Sequence, residues 1–156
     1  MGSVAEVRPS FHDDYIWLAG YGLREADLVE LRAAHQHPME ALLAGQTLSV
    51  PHCWTVDVDG QPAAMFGVAK DPRFPGVKAG SIWLLGSDRL LNVSRWVVRN
   101  SKAWLDKLCE GFDVVGNRVH HENIVHIQWL RWLGFTFIRR DGPFIEFGRI
   151  CNVCYR

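Results

Sequence analysis

The chain has 156 residues, 48% of them apolar, with 17 basic and 17 acidic side chains. This length is typical of one domain, the apolar share is too high for a disordered chain, and the balanced charge lacks the positive field of a general nucleic-acid binder. No 18-residue apolar run and no basic-then-apolar start is present, so we expect no membrane helix, no secretory signal, and reduced cysteines in a cytoplasm.

The first third is predicted to contain a flexible arm, one strand and two helices. These elements are expected at residues 1–10 for the arm, 11–18 for the strand, and 23–34 and 39–44 for the helices. The first helix is indicated by Leu28 and Leu31, which lie three residues apart on one face. The second lies between Pro38 and Gly45, residue types that favour the start and the end of a helix.

The middle third is predicted to form three strands. Asp59-Gly60 is a strong hairpin signal between two β-rich segments, residues 53–58 and 63–69. Prolines and glycines predict a loop over residues 70–80. The short apolar run Ser81–Leu85 follows this loop and is typical of a central strand.

The last third alternates strands and helices. An apolar stripe opposite a charged face predicts a helix over Ser94–Glu110, with Ser94 as its N-cap and Gly111 after its last turn. The remaining elements are expected at 112–119 for a strand, 122–133 for a helix, 135–139 and 144–149 for a hairpin, and 150–156 for a tail. Because a helix joins the fourth and fifth strands of the chain, we expect those strands to be parallel.

The segment from Asn123 to Phe135 resembles part of a known superfamily. Ile127 lies four residues after Asn123, Leu130 lies seven after it, and Gly134-Phe135 closes the segment. This register resembles the fourth helix of the GNAT N-acetyltransferases, and the predicted order of elements resembles theirs over residues 7–149. The resemblance implies a mixed α/β, GNAT-like fold for a single domain spanning 1–156. It would have six to seven strands, about four helices, and a central sheet that opens between its fourth and fifth strands.

The resemblance also implies where acetyl-CoA would bind. In that superfamily a loop with the pattern Gln/Arg-x-x-Gly-x-Gly/Ala holds the pyrophosphate, because glycines let the anion approach free backbone N–H groups at a helix N-terminus. The matching loop keeps Arg89, while Asn92 and Ser94 replace the two glycines. The implied cofactor contacts are Leu84, Leu85 and Gly86 for the pantetheine, Arg89, Asn92, Val93, Ser94 and Arg95 for the phosphates, and Asn123.

Leu130 stands where many GNAT enzymes have a tyrosine that acts as general acid toward the CoA thiolate. Leucine cannot donate a proton, and no general base stands out in its place. His120, His121, Glu122 and His126 are candidates by position alone. We therefore assign no catalytic residue and interpret the acetyl-CoA site as degenerate.

Two further segments carry a narrower resemblance. Residues 82–88 and 141–147, together with the glycine-free loop, resemble a GNAT-like podophage family linked to assembly of the internal virion proteins in the head. The resemblance implies a phage accessory protein of virion assembly whose partner is a phage structural protein or a second copy. It would act in the host cytoplasm or the virion. The alternative is an active acyl-CoA-dependent N-acetyltransferase that modifies an amine on a protein or a small molecule.

The predicted helix over 122–133 is apolar on nearly every side, which has two interpretations. The helix is buried on every side, between the sheet and the C-terminal hairpin or the N-terminal arm. Alternatively, Trp129 and Trp132 form a protein–protein surface.

The histidines and cysteines lack the spacing of a metal site. His121 and His126 are five residues apart, which separates them by about 140° around a helix. Cys151-x-x-Cys154 resembles half of a zinc knuckle, but the sequence has no second pair of this kind. We therefore expect no metal ion and reduced thiols in the tail.

Overall fold

The computed structural model describes residues 2–151. Its strands are β1 Ala5–Pro9, β2 Trp54–Val58, β3 Gln61–Asp71, β4 Ala79–Gly86, β5 Val114–His120, β6 Thr136–Asp141 and β7 Phe144–Ile150. Its helices are α1 Asp14–Tyr21, α2 Glu25–Ala33, α3 Pro38–Leu48, α4 Ser94–Cys109 and α5 Ile124–Trp132. A 3-10 helix, Asp88–Val93, joins β4 to α4. The seven strands form one sheet in the order β1-β2-β3-β4-β5-β7-β6.

The centre of the sheet opens between β4 and β5. These two strands are parallel, as expected, whereas the other neighbours in the sheet are antiparallel. Their pairing ends at Ser81 and Gly116, although β4 continues to Gly86 and β5 to His120. At the point of separation, Asn117 Nδ2 donates to the Ile82 carbonyl over 2.7 Å. The predicted opening between the fourth and fifth strands is therefore confirmed.

Two apolar clusters lie on opposite faces of the sheet. One packs α4 and α5 against β2, β3, β5 and β7, with Leu105, Leu108, Ile127 and Leu130 among its buried members. The other packs α1, α2 and α3 against β3, around Met65. The sheet is therefore covered by helices on both faces, which explains why β3 is buried almost throughout.

The N-terminus differs from its prediction in two ways. Residues 5–9 form β1, not part of a flexible arm, because Arg8 links this edge strand to Asp57 on β2 and Asp14 on α1, each over 2.7 Å. The aromatic segment 11–18 is not a strand, since α1 occupies residues 14–21. Asp14 and Leu18 are both buried, four residues apart, which is the spacing of one helix face.

The predicted ends of the later elements are largely confirmed. Gly111 and Gly134 follow α4 and α5 with φ of 84° and 92°, a backbone conformation that favours glycine after a helix. Ser94 is not an N-cap, because it has helical dihedral angles and Val93 precedes it as the cap. Within residues 2–151 five helices form, close to the predicted number of about four. None of the helices within residues 2–151 has both the length and the apolar character needed to cross a bilayer.

Candidate functional site

The separation of β4 from β5 creates a cavity of about 420 Å³. This volume falls within the range of roughly 300–1,000 Å³ that is usual for small-molecule sites. Most of the lining is apolar, and it includes four tryptophans, Trp83, Trp96, Trp104 and Trp129. Residues of α4 and α5 contribute from one side, and residues of α2 and α3 from the other. The cavity therefore passes through the opening in the sheet.

The backbone N–H and carbonyl of Leu84 point into the opening between β4 and β5. Peptide groups alternate in direction along a strand, and the Ile82 carbonyl and the Gly86 N–H both bond on the β5 side. Leu84 lies midway between these residues, so its N–H and carbonyl face the same side, where β5 has already separated. Leu84 and Leu85 line the cavity. The β4 edge thus offers a hydrogen-bonding site for an extended ligand.

Helix α2 joins the two separated strands through two acidic side chains. Asp27 accepts the Gly86 N–H at the end of β4 over 2.8 Å. Glu30, one helical turn later, accepts the His120 N–H at the end of β5 over 2.9 Å. Arg24 pairs with Asp27 over 2.9 Å, and Asp27 is only 1% exposed. The acid pair on α2 therefore holds the two edges of the opening at a fixed separation.

Glu30 also presents a carboxylate oxygen to the cavity. Its Oε1 accepts hydrogen bonds from the His120 N–H and from Asn123 Nδ2, the latter over 3.3 Å. Within residues 2–151, Oε2 receives no hydrogen bond, and Glu30 lines the cavity. Burial raises the pKa of the Glu30 carboxyl, although its two hydrogen bonds oppose the shift. A half-buried carboxyl whose pKa is raised is a stronger proton acceptor than one with the ordinary pKa.

His126 lines the same cavity from α5. Burial, reinforced by the nearby charge of Arg24, lowers the pKa of His126 to about 4. Its ring contacts the edge of Trp129, with 5.5 Å between ring centroids. His126 is therefore neutral at physiological pH and contributes no positive charge to the cavity.

The segment that matches the superfamily's pyrophosphate loop is closed. Residues 88–93 form a 3-10 helix, in which backbone N–H groups bond to carbonyls three residues earlier. Its first donors bond to Ser87, since the Arg89 N–H reaches Ser87 Oγ and the Leu90 N–H reaches the Ser87 carbonyl. The first two donors of the loop are thus bonded within the protein. Asn92 and Ser94 also replace the glycines that let a pyrophosphate approach the backbone, so the loop does not match the superfamily's pyrophosphate site.

Arg89, the residue that matched the loop pattern, is turned away from any phosphate. Its guanidinium donates to the Val58 carbonyl over 2.5 Å and lies 5.8 Å from the centre of the Tyr21 ring. Val93 is buried in the core, and Ser94 Oγ donates to the Leu91 carbonyl over 2.7 Å. The predicted phosphate contacts are therefore divided between internal bonds and the core.

The remaining predicted cofactor residues lie apart from the cavity lining. Asn92 and Arg95 are exposed beside the 3-10 helix, and Gly86 is bonded to α2 through Asp27. Asn123 caps α5, with its side-chain oxygen accepting the His126 N–H over 3.4 Å, and its Nδ2 donates to Glu30. The structure therefore brings only Leu84 and Leu85 of the predicted set to the cavity.

Helix α5 is buried on one side and exposed on the other. Leu130, in the position of the superfamily tyrosine, is 4% exposed and lines the cavity, so it supplies surface without a proton donor. Trp129 is partly buried, and its Nε1 donates to Ser101 on α4 over 3.3 Å. Trp132 is 46% exposed and Val125 is 79% exposed. The interpretation of complete burial is wrong, and the two predicted interface tryptophans occupy different environments.

One cluster of possible metal ligands occurs in the described part of the chain. His120, His121 and Glu122 place ligand atoms within 4.8 Å of one another. However, His120 Nδ1 accepts the Glu122 N–H over 3.1 Å, which puts the ring proton of a neutral His120 on Nε2. This tautomer removes His120 as a ligand. Cys151 is buried, and Cys154 lies outside the described residues.

Asp27 and Glu30 were not identified from the sequence. Each bonds to a residue far along the chain, 59 residues away for Gly86 and 90 for His120. One feature of the sequence could have indicated Asp27. It lies four residues before the buried Leu31, so it falls on the apolar face of α2. A carboxylate on the buried side of a helix indicates a buried partner.

Comparison with known proteins gives a relative in sequence and several in structure. The chain is 28% identical over 131 residues to the probable scaffold protein gp13 of Escherichia phage T7, covering 78% of this chain and 88% of that protein. No protein-family model matches the chain. Its structure is similar to the GNAT domain of PAT from S. lividans, with a TM-score of 0.68, 14% identity, and coverage of 94% of this chain and 90% of that one.

A second structural neighbour was solved with a ligand. The PaiA N-acetyltransferase of Thermoplasma acidophilum, in complex with coenzyme A, matches with a TM-score of 0.64 and 13% identity, covering 94% of this chain and 99% of that one. At these identities the neighbours establish architecture alone. The mixed sheet, its opening and the helices on both faces are those of the GNAT acyl-CoA N-acyltransferase fold.

Proposed function

We propose that this chain is a phage accessory protein of virion assembly that uses the GNAT fold for protein contacts and has a degenerate acetyl-CoA site. The 3-10 helix at Asp88–Val93 is the observation that carries this proposal. It occupies the loop where the superfamily binds pyrophosphate, and the Arg89 and Leu90 N–H groups bond to Ser87 within it. The similarity to the probable scaffold protein of phage T7 supports the assembly role.

Acetyl-CoA titration tests the loss of the cofactor site. A ligand at 100 times its dissociation constant stabilises a protein by about 2.7 kcal/mol, which a melting curve detects readily. We expect no change in melting temperature at millimolar acetyl-CoA, with a CoA-binding GNAT enzyme as the positive control. A shift that saturates at micromolar acetyl-CoA would contradict the degenerate site.

A second experiment tests the assembly role directly. Phage would be grown with and without this chain, and the proteins of the purified particles compared. We expect particles made without the chain to lack one or more internal proteins, although those proteins are still synthesised. Particles of unchanged composition and infectivity would contradict the role.

N-acyl transfer is a second candidate function, favoured by Glu30. Its carboxylate faces the cavity and has a raised pKa, so it would accept the proton that an attacking amine loses. The amine nitrogen would attack the thioester carbonyl of an acyl-CoA, forming the amide bond as the C–S bond breaks and CoA leaves as its thiolate. Amine acetylation that falls about 100-fold in Glu30→Gln would support this function, because a lost general base costs roughly that factor or more. Activity that is absent, or equal in both proteins, would exclude Glu30 as the base.

A further inference from the structure

The outer surface of α4 and α5 combines exposed apolar side chains with cations. The exposed apolar residues are Val98 at 45%, Ile124 at 56%, Val125 at 79% and Trp132 at 46%. The exposed cations are Arg95, Arg99 and Lys102 on α4 and Arg131 on α5. We refer to these eight residues as the α4–α5 face.

Two contacts show that this face is continuous. Trp129 Nε1 bonds to Ser101 Oγ over 3.3 Å, and Lys102 Nζ lies 4.2 Å from the centre of the Trp132 ring. From the first contact to the second, the residue number increases on both helices, so α4 and α5 run in the same direction. Val98 lies one turn before Lys102, and Val125 lies one turn before Trp129, so each valine extends the row of contacts on its own helix. Val98, Val125 and Trp132 therefore lie on the same side of the helix pair.

The eight residues of the face include four cations and no acid, although the whole chain is neutral. The first acid of α4, Asp106, lies one turn beyond Lys102 and contacts Arg149 over 3.5 Å. No aspartate or glutamate occurs at residues 94–103 or 123–134, which contain all four cations. Exposed apolar patches of this kind mark interaction surfaces in soluble proteins. Cations around such a patch favour an acidic partner and repel a basic one.

We propose that the α4–α5 face docks an acidic amphipathic segment of another protein. Apolar side chains at helical spacing would pack on Val98, Val125 and Trp132, as when an amphipathic helix binds a groove. Carboxylates beside them would pair with Arg99 and Lys102. The inference rests on the proposed function, because it names the kind of partner through which an assembly protein would act.

Charge also argues against a second copy of the chain as the occupant. A two-fold dimer through this face would place the same residues on both sides of the interface. The cation-bearing surface of one copy would then face the same surface of the other, and repulsion between like charges costs binding energy. An acidic segment from a different protein avoids this repulsion.

The test uses a fluorescently labelled synthetic peptide of about 20 residues, long enough for several helical turns. Its leucines follow a helical stripe and its other positions are mainly glutamate. Two control peptides keep the length, one with the leucines scattered around the helix and one with lysine in place of glutamate. We expect the full-length protein to bind both controls at least about tenfold more weakly than the striped acidic peptide. Higher salt should also weaken binding of the striped peptide.

Paired variants locate the site. Arg99→Glu with Lys102→Glu should weaken peptide binding about tenfold or more, because attraction becomes repulsion. The control Lys70→Glu with Lys78→Glu makes the same charge change at exposed positions outside both helices. Val125→Ser should weaken binding several-fold, while Ile138→Ser, at a residue 65% exposed on β6, should not.

Three outcomes would each overturn the inference. The first is equal binding of the striped and scattered peptides, and the second is wild-type binding by the α4–α5 variants. The third is a dimer of the chain that Val125→Ser converts to monomers. Acetyl-CoA is added to the same assay. If it displaces the peptide at micromolar concentration, the cations form a nucleotide site and the proposed function fails as well. If peptide binding fails while acetyl-CoA remains without effect, only the docking inference is lost.

Discussion

The two regions where the GNAT superfamily binds its cofactor, the opening between β4 and β5 and the connection from β4 to α4, have different structures in this molecule. Between β4 and β5 the sheet remains open around a cavity of about 420 Å³. At the end of β4, the connection to α4 has closed into a 3-10 helix, with Arg89 bonded to the Val58 carbonyl. The opening lies between the two parallel strands, and Asp27 and Glu30 of α2 bond to the two separated ends. The superfamily's anion site depends on local backbone freedom, and here Asn92 and Ser94 occupy the positions of its glycines.

The acid pair on α2, Asp27 and Glu30, bonds to both edges of the opening between β4 and β5. We expect Asp27→Ala to disrupt this arrangement more than any other change described below. The change leaves the buried Gly86 N–H without an acceptor and Arg24 without its partner. We expect a loss of about 3–5 kcal/mol in the free energy of unfolding, measured by denaturant titration. Asp88→Ala, at an exposed acid next to the same strand end, is the control. A loss below about 1 kcal/mol would mean that the pair does not hold the opening.

His126, which lines the cavity, makes the free energy of unfolding depend on pH in the acid range. The unfolded chain protonates this histidine below its ordinary pKa, whereas the folded protein does so only near pH 4. Between about pH 6.5 and 4 the unfolded state therefore binds more protons, so stability falls as the pH falls, by at most about 3 kcal/mol. We expect His126→Gln to flatten the unfolding free energy across this window. Parallel curves for the variant and the wild type would exclude His126 as the cause.

Two substitutions of Glu30 separate the effect of its charge on stability from the effect of its hydrogen bonds. Glu30→Ala removes the acceptor of the His120 N–H and should cost about 1–3 kcal/mol. Glu30→Gln keeps an acceptor oxygen and removes a half-buried charge, so it should be as stable as wild type or more stable at pH 7. Burial raises the Glu30 pKa, so this charge costs stability above its pKa and the difference should vanish in acid. Equal losses at pH 7 for both variants would show that the charge is required.

The parts of the fold that could be predicted depend on short-range patterns. The apolar stripe of α4, the Asp59-Gly60 turn and the Asn123–Phe135 register each lie within one element or its ends. β1 was missed because its anchor is the contact of Arg8 with Asp57, 49 residues away. The acid pair on α2 was missed for the same reason. The candidate site lies where distant elements meet, and local spacing carries little information about such contacts.

Restoring the two glycines is the mildest change and the sharpest test of why the connection from β4 to α4 is closed. Asn92→Gly with Ser94→Gly should cost about 1 kcal/mol in stability, because glycine weakens helical backbone. If these two side chains close the loop, millimolar CoA should raise the melting temperature of the double variant and leave that of the wild type unchanged. Asn92→Ala with Ser94→Ala shortens the side chains without adding backbone freedom, so it should gain no response to CoA. A glycine variant that also ignores CoA would mean that the Arg89 contact with Val58, and the packing of Leu90 and Val93, hold the loop closed without help from Asn92 and Ser94.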